Sequence, residues 1–210
     1  MSVNINDWKV EDLAFWKEKG SKIATRNILI SIPSLLLAFA VWIMWGIIIT
    51  KMKEFGYNFG MLEGISDALR ADKLKEINSL YYTLPAIAGL AGATLRIPNS
   101  FLIGLAGGRN VIFVTTLLLI IPVVGVGLAL RDINTPYMVF AAMALLSGFG
   151  GGNFASSMSN ISYFFPKRVQ GTSLGFNAGI GNLGVGIMQK TIPLVVGLTL
   201  FSAVDRDGSV

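Results

Sequence analysis

Of the 210 residues, 53% are hydrophobic, 14% are charged and 24 are glycine; the mean hydropathy is +0.64, too apolar for an ordinary soluble domain, where about a quarter of residues are charged. There is no cysteine and no histidine, which excludes disulfides, thiolate nucleophiles and metal sites built on either side chain, and removes the usual general base. The net charge of +5 is scattered through loops with acids mixed in, which argues for loops beside anionic headgroups and against a nucleic-acid partner.

The pattern predicts an all-α membrane protein of five transmembrane helices in three parts. Residues 1–27 form an N-terminal amphipathic segment, in which Trp8, Leu13, Phe15 and Trp16 alternate with Lys9, Glu11, Asp12, Lys17 and Lys19. That charge excludes a cleaved signal peptide and suits a helix lying on the bilayer. Residues 28–201 form the bundle, with spans at about 28–49, 80–105, 111–130, 137–164 and 170–201, each long enough for roughly 30 Å of hydrocarbon. Trp42 and Trp45 fall near the far end of the first span, where interfacial aromatics are expected. A polar loop is expected from Thr50 to Ser79, and tight turns at Gly107 to Asn110 and Arg131 to Pro136. The fifth span would be about 50 Å long, so it must tilt, protrude or break, with Pro193 as a kink. Residues 202–210 read as a loop cut short. Lys and Arg divide almost evenly between the two sides, tipping slightly to a cytoplasmic N-terminus.

Leu145 to Ile187 is the densest stretch of small and polar residues. Gly148, Gly152, Ser156 and Asn160 fall four apart on one helical face; beyond a basic elbow at Phe165 to Arg168, Gly175, Gly179, Asn182 and Gly186 share another. Small residues at this spacing let helices approach closely in a membrane, whereas the amides require polar partners. Gly179 to Gly184 also matches G-x-G-x-x-G, but it lies inside an apolar helical run without the preceding strand a dinucleotide site needs.

Arg96 is the foremost candidate, an ionisable group inside the second span, where placement costs at least ~2.5–3.5 kcal/mol. None of the five spans contains Asp or Glu. Two readings stand. Either the guanidinium binds a planar oxyanion arriving from outside the chain, or it snorkels to headgroups. Phe154 is either packing or a flat wall beside such an ion. Lys190 reads as snorkelling, and Gly104 to Arg109 as a turn first. The lack of intramembrane carboxylates and histidines favours exchange over proton symport.

Together these residues resemble the nitrate/nitrite porter family of the major facilitator superfamily. Arg96-Ile97-Pro98-Asn99-Ser100-Phe101 looks like its second-span arginine motif. Gly152 through Ser162, followed by Phe164-Phe165-Pro166-Lys167, looks like its fourth-span signature. Gln170-Gly171 and Gly175 through Val185 look like its fifth-span nitrate signature. The resemblance implies a 12-helix carrier of the bacterial inner membrane, needing no cofactor or metal and having no catalytic residue, that binds nitrate or nitrite midway between two six-helix halves. Arg96 would bind the anion, Phe154 would belong to an aromatic sandwich around it, and Asn182 would be the signature amide beside it. Asn177 and Gly171 would join this substrate-binding set. Gly175 and Gly179, with Gly152 and Asn160, would serve packing or hinge roles.

Gly104, Gly108 and Arg109 would form the cytoplasmic gating loop, with Gly108 replacing the superfamily's usual aspartate. The sixth helix and the C-terminal half have no counterpart, so the chain is expected to be an incomplete N-terminal half, a fragment or one piece of a split carrier. The competing reading is a non-transporting scaffold or inactive fragment that assembles through its glycine faces. An enzyme is disfavoured, because no nucleophile, base or metal cluster converges.

Overall fold

A computed structural model describes residues 8–197, and every regular element among them is helical. The first helix among the described residues is the short α1 (Leu13–Phe15), whose start is fixed by the Asp12 carboxylate accepting from the amides of Ala14 and Phe15 at 2.8 and 3.3 Å. One wide turn, Trp16–Gly20, then runs directly into α2 (Ser21–Ile43). The expected boundary at residue 27 is therefore continuous helix. A step at Met44 separates α2 from α3 (Trp45–Glu54), and the Ile48 amide still donates to the Met44 carbonyl, so the rod is nearly unbroken.

Helix α4 (Asp67–Ala106) is 40 residues long. Its first turns occupy residues expected to be loop, and their physical basis is charge pairing at helical spacing. Lys73 pairs with Glu76 at 2.7 Å and Lys75 with Asp72 at 3.0 Å, a solvated extension of an apolar span. The turn after α4 narrows to Gly107, at φ +78°. Gly104 is helical, and Gly108 already opens α5 (Gly108–Leu118). Helices α6 (Ile120–Ala129), α7 (Tyr137–Phe164) and α8 (Lys167–Gly197) complete the bundle. Helix α8 runs through Pro193. The end of the expected fifth span and the tail Ser202 to Val210 lie outside the described residues, as do residues 1–7.

Among the described residues, four helical stretches are long and apolar enough to cross a membrane: 13–54, 67–106, 108–129 and 137–164. The fifth long helix, α8, is richer in glycine than the others, and it lies along α2. Helix α7 is the hub, touching α2, α4, α5, α6 and α8, and its most extensive partner is α4. Its small residues explain this. A Cβ at Gly148 would collide with Ala91, one at Gly150 with the Ala38 carbonyl, and one at Gly152 would meet Asn99 and Leu95 at 2.8 and 3.0 Å. Without side chains on that face the backbones approach closely.

The two tryptophans expected at the interface are inside instead. Trp45 is buried and its indole N–H donates to Ser147 at 2.9 Å. Trp42 donates to the Ala88 carbonyl at 2.8 Å. For Trp42 the cause is room: Gly92 on α4 and Gly151 on α7 leave a gap that its indole fills.

Candidate functional site

The gap filled by Trp42 lies between Gly92 on α4 and Gly151 on α7. A Cβ at Gly92 would stand 2.5 Å from the indole nitrogen, and one at Gly151 would meet the ring at 2.7 Å and the Gly92 Cα at 2.8 Å. With Trp42 seated there, its ring faces the next turn of α4, which carries Arg96. The guanidinium carbon lies 5.3 Å from the Trp42 ring centre and 5.2 Å from that of Phe154, within range for cation–π attraction on both sides. Phe39 of α2 extends the wall, stacked on Phe154 at 5.7 Å with an interplanar angle of 19° and tilted against Trp42 at 5.8 Å.

Arg96 is half-buried. Its Nε donates to the Gly151 carbonyl at 3.2 Å, and that bond uses one of the five guanidinium donors. Between Leu80 and Gly197 the sole acidic residue is Asp132, in the turn before α7, and no carboxylate pairs with Arg96 among the described residues. The result is a fixed cation with aromatic faces and spare donors, a chemistry suited to a small planar anion.

Below this box a buried amide network fixes the helices. Asn153, fully buried, accepts from Thr115 at 3.2 Å and donates to Thr116 at 3.0 Å. Thr116 in turn shares a hydrogen bond of 2.6 Å with Ser34, so α7, α5 and α2 are linked by one chain of polar groups. Asn160 donates to Asn27 at 2.8 Å and to Ser31 at 3.4 Å. Gly108 packs against Asn160 so closely that a Cβ there would overlap the amide oxygen. An aspartate at position 108 has no room in this arrangement, and the glycine is its counterpart. Arg109 beside it is exposed.

The remaining residues singled out from the sequence divide by face of α8. Asn177 is fully buried and donates to Ser157 at 2.8 Å, while its amide oxygen is without a hydrogen-bond partner. Asn182 is exposed, and its amide donates to its own helix at the Ala178 carbonyl, 2.9 Å away. Neither amide bonds to Arg96 among the described residues. Gly171, Gly175 and Gly179 are exposed, and a Cβ at any of them would meet nothing within 4 Å. The close approaches of α8 are made instead at Gly181 against Leu35 and at Gly184 against the Leu36 carbonyl. The structure thus brings together Arg96 and Phe154, and adds Trp42, Phe39 and Gly151. The signal for these was faint but present: a tryptophan one helix away from glycines at 92 and 150–152 has a place to go.

The comparisons agree with this architecture. Residues 9–188 match the profile of the Major Facilitator Superfamily. The chain is 43% identical over 204 residues, 97% of its length and 40% of the relative's, to the nitrate/nitrite transporter NarU of Escherichia coli (strain K12). It is 37% identical over 199 residues, 95% of its length and again 40% of the relative's, to the probable nitrate/nitrite antiporter NarK2 of Thermus thermophilus. A shorter match of 30% over 113 residues, 54% of this chain and 28% of the relative, joins it to the probable nitrate transporter NarT of Staphylococcus aureus (strain MRSA252). The chain therefore spans about 40% of the length of the relatives matched along almost all of it. From the profile covering most of its length and the apolar helices that carry the match, the chain belongs to the Major Facilitator Superfamily.

Proposed function

We propose that the chain is the N-terminal part of a nitrate/nitrite transporter of the bacterial inner membrane, and that Arg96 holds the anion near the membrane midplane. The observation that carries this reading is the box around Arg96: a half-buried guanidinium oriented by the Gly151 carbonyl, flanked by Trp42 and Phe154, and lacking a carboxylate partner among the described residues. A trigonal oxyanion is flat, carries one negative charge, and matches both the planar donor fork and aromatic walls. The relatives named for nitrate and nitrite transport support the choice of anion.

Helix α8 offers the second support. Gly171, Gly175, Gly179, Asn182 and Gly186 are all exposed, and none of these glycines is filled by a neighbour. Such a face suits a second helical body docking across the site, with alternating access produced by rocking of one body against the other. Asn182 then projects towards that junction. Exchange of nitrate for nitrite is favoured over proton symport, because the apolar spans 28–49, 80–105, 111–130, 137–164 and 170–201 carry no histidine and no carboxylate to relay protons. The slight excess of Lys and Arg in the loops on the N-terminal side favours a cytoplasmic N-terminus.

The test uses a chimaera in which this chain precedes the rest of a matched relative. Isotopically labelled nitrate uptake is measured for the parent and for Arg96→Lys, with membrane insertion checked by immunoblot. Loss of uptake with normal insertion supports the reading; full uptake by the variant overturns it. The scaffold reading rests on the same open α8 face and makes the opposite prediction, with Arg96 dispensable and Gly175→Leu or Gly179→Leu blocking assembly.

A further inference from the structure

The elbow between α7 and α8, Phe165-Pro166-Lys167-Arg168, lies apart from the Arg96 box and leaves two helix ends to be satisfied. The last carbonyls of α7 and the first amides of α8 have no partner further along their own helices. Part of this is settled locally. The Phe165 amide donates to the Ile161 carbonyl at 3.2 Å, and the Gln170 side chain donates to the Ser162 carbonyl at 2.7 Å. Pro166, directly before α8, has no side-chain acceptor with which to cap it.

Residues distant in sequence complete both ends. The Trp8 indole N–H donates to the Tyr163 carbonyl at 3.2 Å, and the Glu11 carboxylate accepts from the Lys167 amide at 2.9 Å. That carboxylate also stands at the positive end of the α8 dipole. Aromatic rings seat the segment that carries these two bonds. Trp8 meets Phe15 and Phe164 edge-on, each at 5.2 Å, and Trp16 tilts against Phe165 at 5.8 Å. The Arg168 guanidinium lies 5.8 Å from the Trp16 ring centre, within cation–π range. The wide turn Trp16–Gly20 gives the rings their room, since a Cβ at Gly20 would stand 3.1 Å from Trp16 and 3.3 Å from Phe15. Trp16 and Phe164 also pack on the buried cluster of Ala24, Ile28, Ile161 and Phe165 that joins α2 to the elbow. All of these partners belong to the one chain.

We propose that Trp8–Trp16 is a strap that caps the α7–α8 elbow from a distant part of the sequence and holds the first turns of α8 beside α2. The capping stands by itself; its effect on transport rests on the reading of α8 as the docking face for a rocking body. With the strap seated, α2, α7 and α8 move as one unit. With it released, the first turns of α8 fray, and a push on the open face of α8 is lost at the elbow instead of moving α7.

Hydrogen exchange of the full chain in mild detergent reads the strap directly. Trp8→Ala and Glu11→Ala are each expected to speed exchange of the amides from Lys167 to Gln170 roughly fivefold, with protection of α4 and α5 unchanged. Glu11→Gln, which keeps an oxygen acceptor, should lose less than Glu11→Ala. In the chimaeric carrier the two alanine variants should lower the maximal rate of labelled nitrate uptake and leave its half-saturating concentration unchanged, because Arg96 is untouched. Unaltered exchange at the elbow in both variants overturns the strap, as does faster exchange spread equally over all helices. Faster exchange at the elbow with undiminished uptake overturns its part in transport. Full uptake by Arg96→Lys, by contrast, sinks the anion reading and leaves the exchange result standing.

Discussion

The Nε of Arg96 donates to the carbonyl of Gly151 across the α4–α7 seam at 3.2 Å, so the one cation within this stretch of α4 is tethered to the backbone of the helix beside it. That carbonyl is reachable because residue 151 has no side chain, and the same absence admits the Trp42 ring that faces the guanidinium. Cation, backbone acceptor and aromatic wall thus depend on one glycine.

Lysine at position 96 keeps the charge but loses the planar fork and the Nε bond. Bonds to charged groups are worth about 1.5–3 kcal/mol, so Arg96→Lys in the chimaeric carrier is expected to lower nitrate uptake roughly 10- to 100-fold. Initial-rate uptake of labelled nitrate at several concentrations measures this.

Gly151→Ala places a methyl group 2.7 Å from the Trp42 ring and 2.8 Å from the Gly92 Cα. Overpacking of this kind costs about 1–3 kcal/mol. The solubilised chain should unfold at a lower temperature, and the Trp42 contribution to its fluorescence spectrum should shift. Gly175→Ala meets nothing within 4 Å and serves as the contrast, expected to be neutral or stabilising by up to about 1 kcal/mol because it replaces glycine within a helix.

Asn153 is fully buried and holds α7 to α5. Asn153→Ala removes one hydrogen bond from each of Thr115 and Thr116, which keep the Val111 carbonyl and Ser34 as partners, at about 0.5–1.5 kcal/mol for each bond lost. Hydrogen exchange should show faster opening of α5 in the variant, and unchanged protection there would refute the bridging role.

Gly108→Asp restores the acid that the superfamily's loop usually carries, yet a Cβ at 108 overlaps the Asn160 amide oxygen. The variant is expected to displace Asn160 from Asn27 and destabilise the chain, and the additional Asn160→Ala should recover part of the loss. Thermal unfolding of the single and double variants gives the coupling between the two positions.

Two members of the candidate site were legible from residue chemistry. Arg96 stood out because a charge in an apolar run has few explanations, and Phe154 because it sits in a glycine-rich helix. Trp42 and Trp45 were misplaced, since aromatic residues near a span end suit the interface equally well, and only the gap at Gly92 and Gly151 draws Trp42 inward. The start of α4 was hidden for a related reason. A charged, balanced stretch reads as a loop until its lysines and acids are seen to pair at helical spacing.

By itself the sequence determined the class of molecule: apolar helices, the absence of cysteine and histidine chemistry, an isolated arginine, and small residues repeating on helical faces. Periodicity states which residues share a face; it does not state what that face meets. Only the tertiary structure decided that Gly148, Gly151 and Gly152 are closed against neighbouring helices while Gly171, Gly175 and Gly179 stay open, and that Asn177 turns inward while Asn182 turns out. The physical reason is that close packing is a property of two surfaces, and each helix carries the pattern of only one.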